Sequence, residues 1–179
     1  MNGRELLIGV TGGISAYKTA GLVSQLVQAG AGVSVVMTAS AEEFVGAATF
    51  EALTGRPVPR GVFHEAGHPL GAHIELARRA ELMCIAPATA NYLAKAAHGL
   101  ADDLLSTLTL SFSEKIIIAP AMNCEMWSKA VVQRNVEQLR QDGFVILDPE
   151  EGWLSCREQG AGRMASPERI RQAIEDHLK

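Results

Sequence analysis

The stretch "ELLIGVTGGISAYKTAGLVSQLVQAGAGVSVVMT", residues 5–38, decides the fold. It opens with a short apolar run, continues after a Gly-Gly pair with apolar residues at helical spacing, and closes with a second apolar run. Neither run alternates polar and apolar residues, which is typical of strands buried on both faces of a parallel sheet. The stretch therefore predicts a strand over 5–11, a helix over 16–30 and a strand over 32–38.

The same alternation continues along the chain. The pattern predicts further strands at 82–88, 115–122 and 144–148, and helices at 42–55, 73–80, 89–99, 102–112, 126–143 and 166–179. In the last helix, Ser166 is the expected N-cap and Pro167 the first helical residue. Strands that alternate with helices indicate a parallel sheet covered on both faces. The sequence predicts one doubly wound α/β domain, Rossmann- or flavodoxin-like, over residues 1–179.

Composition limits the class of protein. The chain has 179 residues, 47% hydrophobic and 20% charged, which suits one globular domain with a sizeable core. A net charge of −4 disfavours a nucleic-acid partner, because such proteins need basic patches. No apolar run is long enough for a membrane span, and the N-terminus lacks the apolar segment of a signal peptide. Cys84, Cys124 and Cys156 are widely spaced, so we expect free thiols in a reducing cytoplasm, with Cys84 in the core.

Ligands of doubly wound folds bind beyond the carboxyl ends of the strands, so the residues there are the candidate site. After the first strand, Gly12 and Gly13 would let the backbone approach a ligand, and a helix starting near Ser15 would offer free N–H groups to an anion. A tight turn with an N-cap serine explains these residues equally well. Because the segment is not G-x-G-x-x-G, a dinucleotide is not specifically indicated.

The other strand ends carry polar residues too. Thr38 and Ser40 follow the second strand, where their hydroxyls could bind phosphate or cap a helix. Asn91 could be a turn residue, and Asn123 could cap a helix or bind a substrate carboxylate. An Ala-Pro-Ala frame occurs at the ends of two predicted strands, in "APATAN" (86–91) and "APAMNCEMW" (119–127), which favours a crevice with two matched walls.

His73 begins a predicted helix after a glycine-rich loop. The positive end of a helix dipole disfavours the cationic form of an imidazole there, which suits a proton acceptor; an ordinary helix cap is the alternative. His64 and His68 are near in sequence, but their spacing gives no metal-ligand pattern, so no metal site is expected.

Four segments together resemble a known family. "PATAN", "PAMNCEMW", "HIELARRAELMCIAPA" and "SCREQGAGRM" are similar to motifs of the homo-oligomeric flavin-containing cysteine decarboxylases, and the similarity runs over essentially the whole chain. Within that family, the motifs are most similar to those of the phosphopantothenoylcysteine decarboxylases of coenzyme A biosynthesis.

The resemblance implies FMN as cofactor and assigns residues to it. Its phosphate would lie at Gly12, Gly13, Ile14 and Ser15, helped by Thr38 and Ser40, and its ring would meet Thr89, Ala90, Asn91, Tyr92 and Ala121. His73 would act beside the flavin across a subunit boundary, within a homo-trimer or a dodecamer. Asn123 would hold the carboxylate of the thiol substrate, with Met126 nearby. Cys156 would be the acid of the last step, in a flexible substrate clamp at about 149–165.

The implied reaction explains the flavin. A cysteinyl carboxylate has no electron sink, so the family first oxidises the thiol-bearing carbon to a thioaldehyde; carbon dioxide then leaves to give an enethiolate, which is reduced to 4′-phosphopantetheine. Cys156 would give the proton of that reduction.

The chain departs from the family pattern at several positions. Arg157 and Glu158 replace Gly-Asp after the clamp cysteine, and Arg157 would be strained if that position needs a left-handed backbone. Thr89 replaces a serine, and Tyr92 replaces a threonine. A peptidyl-cysteine decarboxylase, a flavin prenyltransferase and a non-catalytic flavin-binding regulatory subunit are the alternatives. Many bacterial relatives are fused to a ligase, so this sequence is either a stand-alone protein or part of a longer one.

Overall fold

A five-stranded parallel sheet forms the centre of the molecule. The computed structural model describes residues 1–63, 70–153, 155 and 157–179. The strands lie in the order β2-β1-β3-β4-β5. Their bounds are Glu5–Val10 (β1), Gly32–Met37 (β2), Leu82–Ala88 (β3), Lys115–Pro120 (β4) and Val145–Ile146 (β5). The order reverses direction between β1 and β3, which is the flavodoxin-like arrangement and leaves a crevice at that point.

Nine helices are found in the described part of the chain. They are Ala16–Gln28 (α1), Ala39–Glu42 (α2), Ala47–Thr54 (α3), Ala72–Arg79 (α4), Ala90–His98 (α5), Leu104–Ser111 (α6), Cys124–Ser128 (α7), Ala130–Gln141 (α8) and Pro167–His177 (α9). Ser166 caps α9 by accepting a hydrogen bond from the Arg169 N–H, with Pro167 at the first helical position, as predicted. None of these helices is long and apolar enough to cross a bilayer.

The core is split by the sheet into two layers, because successive strand residues point to opposite faces. In β1, Leu6 and Ile8 belong to the layer packed against α1, α3 and α9, whereas Leu7 belongs to the layer packed against α4, α5, α6 and α8. Cys84 is completely buried, as predicted. Helices on both faces of a parallel sheet confirm the predicted doubly wound fold.

Some predicted boundaries were wrong. The segment 42–55 holds the end of α2 and a separate α3, because Gly46 has an extended backbone and caps the second helix. The segment 126–143 likewise contains two helices, since Lys129 is extended between α7 and α8. The last sheet strand covers two residues rather than 144–148.

The segment at about 149–165 contains an antiparallel hairpin that the sequence analysis missed. Its strands are Glu150–Trp153 (β6) and Gln159–Arg163 (β7), and they form a separate two-stranded sheet. The segment is rich in glycine and charge and does not alternate polar with apolar residues. It therefore lacks the pattern by which a half-buried strand is recognised.

Gly9 gives a test of the packing around β1. A Cβ atom there would lie 2.5 Å from Leu105 Cδ1 and 2.6 Å from Ile85 Cδ1, and both side chains are buried. We expect Gly9→Ala to lower the free energy of unfolding by about 1–3 kcal/mol through overpacking. Gly21→Ala is the matched control: it adds the same methyl group on α1 where no atom lies within 4 Å, and it should raise stability by roughly 0.5–1 kcal/mol. Chemical denaturation measures both, and equal effects would contradict the packing.

Candidate active site

A cavity of about 430 Å³ opens at the carboxyl ends of β1, β3 and β4, beside the crevice between β1 and β3. Four segments line it. They contribute Gly12, Gly13, Ile14, Ser15, Tyr17 and Lys18 after β1, Thr89 and Ala90 after β3, Ala121, Met122, Asn123 and Met126 after β4, and Trp153, Ser155, Gly162 and Arg163 from the hairpin. Most of the residues assigned to the cofactor and substrate by resemblance therefore meet in one place.

The loop after β1 offers backbone N–H groups to this cavity. Within the described residues, the N–H groups of 12–15 have no hydrogen-bond acceptor, and α1 begins directly afterwards with Ser15 as N-cap. Gly12 packs against Ser40 so closely that a Cβ atom would collide with it. A Cβ atom on Gly13 would meet only Thr89 Cγ2, at 3.9 Å, because that side opens into the cavity. These features fit an anionic group such as a phosphate.

Thr38 and Ser40 lie behind this loop. Thr38 is the N-cap residue of α2 but its side chain makes no capping hydrogen bond, and Ser40 lies within the helix. Thr38 Oγ1 is buried and has no partner in the described chain. Neither residue lines the cavity. The buried Thr38 hydroxyl next to the loop nevertheless lacks a hydrogen-bond partner in the described chain, which a ligand could provide.

Thr11, which sequence analysis did not select, joins β1 to the end of β3. Its hydroxyl donates to the Pro87 carbonyl oxygen at 2.7 Å and accepts from the Thr89 N–H at 3.0 Å. Thr19 makes a similar bond, from its hydroxyl to the Ala86 carbonyl oxygen at 2.7 Å. These bonds fix the cavity wall after β1 relative to the wall after β3. In the sequence, Thr11 and Thr19 stand out only as hydroxyl residues among apolar ones. Their acceptors cannot be recognised there, because they lie far away along the chain.

The wall after β3 is only partly as expected. Thr89 caps α5 through its hydroxyl, which accepts from the Tyr92 N–H at 3.3 Å, and Thr89 and Ala90 line the cavity. Tyr92 differs from the expectation. Its side chain is buried in the core with its hydroxyl 2.8 Å from Thr109 Oγ1, and burial raises its pKa. Asn91 is exposed and does not line the cavity.

Asn123 caps a helix, which is one of the two roles predicted for it. Its side-chain oxygen caps α7, accepting from the Glu125 N–H at 2.7 Å and the Met126 N–H at 3.4 Å. Its Nδ2 group faces Glu158 Oε2 at 3.4 Å. Because the cap holds the oxygen, the amide can turn only its N–H₂ group toward a ligand. Met126 lies beside it in the lining and is half exposed.

The hairpin covers the cavity and is fixed to the β4 side. The Met122 N–H donates to the Gly162 carbonyl oxygen at 3.0 Å, and a Cβ atom on Gly162 would collide with the Met122 carbonyl oxygen. A Cβ atom on Gly160 would come within 3.0 Å of Cys124. Arg157 has φ +65°, which is the left-handed backbone conformation that favours glycine. A residue with a side chain is strained in that conformation.

The remaining predicted residues lie elsewhere. His73 is the second residue of α4, whose N-cap is Gly71, and it does not line this cavity. His73 Nδ1 is buried and has no partner in the described chain. Cys156, His64 and His68 fall outside the described residues. Among the described ones, no group of three or more His, Cys, Asp or Glu side chains could hold a metal ion.

The Flavoprotein family model matches residues 1–179. The chain belongs to the Flavoprotein family. Among curated relatives, it is 45% identical over 178 residues to the coenzyme A biosynthesis bifunctional protein CoaBC of Bacillus subtilis, with 99% of this chain and 44% of that protein covered. It is 46% identical over 167 residues to CoaBC of Mycobacterium tuberculosis, with 93% and 40% covered. The chain thus spans less than half the length of the curated relatives it matches.

Two solved structures have the same fold. One is a PPC decarboxylase mutant complexed with pantothenoylaminoethenethiol, with a TM-score of 0.89, 27% identity and 98% of both chains covered. The other is the FMN-dependent cysteine decarboxylase SpaF, with a TM-score of 0.83, 38% identity, and 98% of this chain and 95% of that chain covered.

Cysteine alkylation reports on the docking of the hairpin. Cys124 is half-buried beneath Gly160, whereas burial raises the pKa of Cys84 to about 12. At pH 8 only about one Cys84 thiol in ten thousand is then a thiolate. We expect Gly162→Ala to undock the hairpin and speed alkylation of Cys124 about tenfold, while Cys84 stays unmodified. Mass mapping of alkylated peptides measures both sites.

The control for this experiment is Gly46→Ala, which adds a methyl group where no atom lies within 4 Å. It should leave both alkylation rates unchanged. Acceleration at Cys84 as well would mean general unfolding, and an unchanged Cys124 rate would contradict the contact between Gly162 and Met122.

Proposed function

We propose that this protein is an FMN-dependent decarboxylase that converts 4′-phosphopantothenoylcysteine into 4′-phosphopantetheine for coenzyme A biosynthesis. One observation carries the proposal: the N–H groups of 12–15 and the Asn123 amide line the same cavity, which suits a phosphate-bearing cofactor beside a carboxylate-bearing substrate. The similarity to CoaBC and to a PPC decarboxylase supports the substrate class.

FMN fits the residues that are present. The N–H groups of 12–15 would hold its phosphate, with the unpaired Thr38 hydroxyl behind them, and Thr89, Ala90 and Ala121 would lie along the flavin ring. When bound, the flavin supplies reversible two-electron chemistry, which provides the electron sink that the cysteinyl carboxylate lacks. The protein binds and orients the substrate against it. Asn91 and Tyr92 do not line the cavity, so we assign neither side chain to the flavin.

Asn123 would hold the carboxylate that leaves. Its Nδ2 group is a neutral donor, and its orientation is set by the cap on α7. A neutral donor suits this role, because a cation would stabilise the charged carboxylate of the ground state more than the transition state in which that charge is moving into the substrate. Met126 would contact the same end of the substrate.

His73 would be the proton acceptor for the substrate. It lies in the first turn of α4, and its Nδ1 is buried without a hydrogen-bond partner in the described chain. Since it does not line the cavity of its own chain, it would serve the site of a neighbouring subunit in a homo-trimer or dodecamer. Cys156 would supply the final proton from the 149–165 segment, which we propose acts as the substrate clamp within a single domain. A reducing cytoplasm would keep a catalytic thiol available for this step.

A peptidyl-cysteine decarboxylase is the second candidate. Arg157-Glu158 in place of the family's Gly-Asp is compatible with another thiol substrate, and SpaF, to which the chain is 38% identical, is an FMN-dependent cysteine decarboxylase. The two candidates differ in whether the cysteine is attached to a phosphorylated acid or to a peptide.

The deciding experiment uses the purified protein and two substrates. We expect a yellow protein that releases FMN on denaturation and removes carbon dioxide from 4′-phosphopantothenoylcysteine, detected by mass spectrometry as a loss of about 44 Da. A peptide ending in cysteine should react far more slowly. Faster reaction of the peptide would favour the second candidate, and a protein that binds FMN but decarboxylates neither would indicate a regulatory subunit.

Mixed oligomers test the shared site. His73→Asn and Asn123→Asp should each abolish decarboxylation, because the carboxylate introduced by Asn123→Asp keeps the capping oxygen but repels the substrate carboxylate. When the two variants are co-expressed in equal amounts, about a quarter of the sites should combine an intact histidine with an intact asparagine, and activity should return to that level. An inactive mixture, or a stable monomer by light scattering, would contradict the shared site.

A further inference from the structure

The cavity carries two positive charges that the roles above do not use. Lys18 on α1 and Arg163 on β7 are the charged residues among its described lining, and no carboxylate stands with them. Such a lining is notable in a chain whose net charge is −4. Two like charges gathered in a ligand cavity point to an anionic ligand group.

The two cations come from opposite sides of the cavity. Lys18 follows Ser15 by three residues, so it lies one turn further along the same face of α1. Arg163 belongs to the hairpin, and its guanidinium passes over Gly152, where a Cβ atom would be 3.4 Å from Nη1. The helix belongs to the main body and the strand to the hairpin sheet. A ligand group between them would contact both parts of the protein.

No acidic group in the described chain neutralises the pair. In the described residues, no carboxylate lies within ion-pair distance of Lys18 or Arg163. Glu150 attracts Lys18 through space, but its carboxylate accepts a hydrogen bond from the Ser166 N–H at 3.1 Å and lies 3.9 Å from Arg169. Burial and the nearby charge of Arg163 lower the pKa of Lys18. The arrangement is unfavourable without an anion, and a phosphate monoester, with about −1.5 to −2 charges near pH 7, matches it.

We propose that Lys18 and Arg163 form the subsite for the phosphate of the substrate and so select phosphorylated over unphosphorylated cysteine amides. This rests on the proposed function and assigns the two anionic groups of the substrate to different walls. The reacting carboxylate goes to the neutral Asn123 amide, and the phosphate, which keeps its charge throughout the reaction, goes to the cations.

The reaction coordinate predicts a particular kinetic effect. Because the phosphate charge is the same in the ground state and the transition state, the cation pair binds both equally. Loss of a cation should therefore raise KM and leave kcat nearly unchanged. A residue that acts on the reacting atoms would lower kcat instead.

The experiment compares 4′-phosphopantothenoylcysteine with pantothenoylcysteine, which lacks the phosphate. Lys18→Met and Arg163→Met should each raise KM for the phosphorylated substrate about tenfold, as expected for loss of one charge-assisted contact. KM for the unphosphorylated substrate should not change. Lys18→Arg and Arg163→Lys keep the charge and should retain most of the selectivity. Arg134→Met is the matched control, since it removes one positive charge from the exposed surface of α8.

A binding measurement separates this proposal from the proposed function. Calorimetric titration of the FMN-loaded protein with 4′-phosphopantetheine and with pantetheine should show the same selectivity, lost in the same variants. If the wild-type protein decarboxylates neither substrate, the proposed function fails while the titration still tests the cation pair. Higher salt should reduce the preference for the phosphorylated ligand in the wild type.

FMN also carries a phosphate, which Lys18 and Arg163 could bind instead of the substrate phosphate. The third measurement is therefore of flavin binding. We expect Lys18→Met and Arg163→Met to retain FMN as the wild type does. Variants that bind FMN no more tightly than riboflavin would show that the cations serve the cofactor phosphate, which would overturn the proposal. Equal loss with both substrates, a fall in kcat alone, or no change in selectivity would overturn it as well.

Discussion

The hydroxyl of Thr11 connects the two strand ends on which the whole site depends. It bonds to the Pro87 carbonyl oxygen and the Thr89 N–H, while the Thr11 N–H also donates to Pro87 at 3.3 Å. A doubly wound sheet opens between β1 and β3, because the chain leaves the first strand toward one edge and returns toward the other. The bonds of Thr11 hold that opening at a defined width just below the loop that carries the free N–H groups.

The charges of the cavity would suit the different ligand groups that we propose for it. Backbone N–H groups stand where a cofactor phosphate would lie, a neutral amide stands where a carboxylate would lose its charge, and side-chain cations stand to one side. Such a division is expected of a decarboxylase, since binding energy placed on the reacting carboxylate would oppose its departure. Charge placed on a spectator phosphate carries no such cost.

In the proposed phosphate subsite, the hairpin would contribute both to substrate selection and to access. Its attachment to the β4 loop is the bond from the Met122 N–H to Gly162, and it brings Arg163 over the cavity and Glu158 close to Asn123. Without a ligand, the cations repel each other across the gap between the hairpin and α1. An anion between them would turn that repulsion into attraction, so the same group that is recognised would also draw the hairpin to the body.

The sequence by itself determined the architecture and the segments that form the site. Uniformly apolar strands separated by helical patterns indicated a parallel sheet covered on both faces. The strand-end rule located Gly12, Gly13, Ser15 and Asn123, which line the cavity, and also Thr38, Ser40 and Asn91, which do not. The family resemblance added Ile14, Thr89 and Ala121, which line it as well. These inferences succeed because they depend on local periodicity and on a rule of topology.

Only the tertiary structure decided which of those side chains face the cavity. Tyr92 follows Thr89 by three residues, yet its ring points into the core because the helix turns it toward Thr109. The partners of Thr11 lie more than seventy residues away, at 87 and 89, and the cation pair joins Lys18 to Arg163 from opposite ends of the chain. A sequence pattern records which face of an element is apolar, but contacts between distant elements depend on how those faces pack, and packing exists only once the chain has folded.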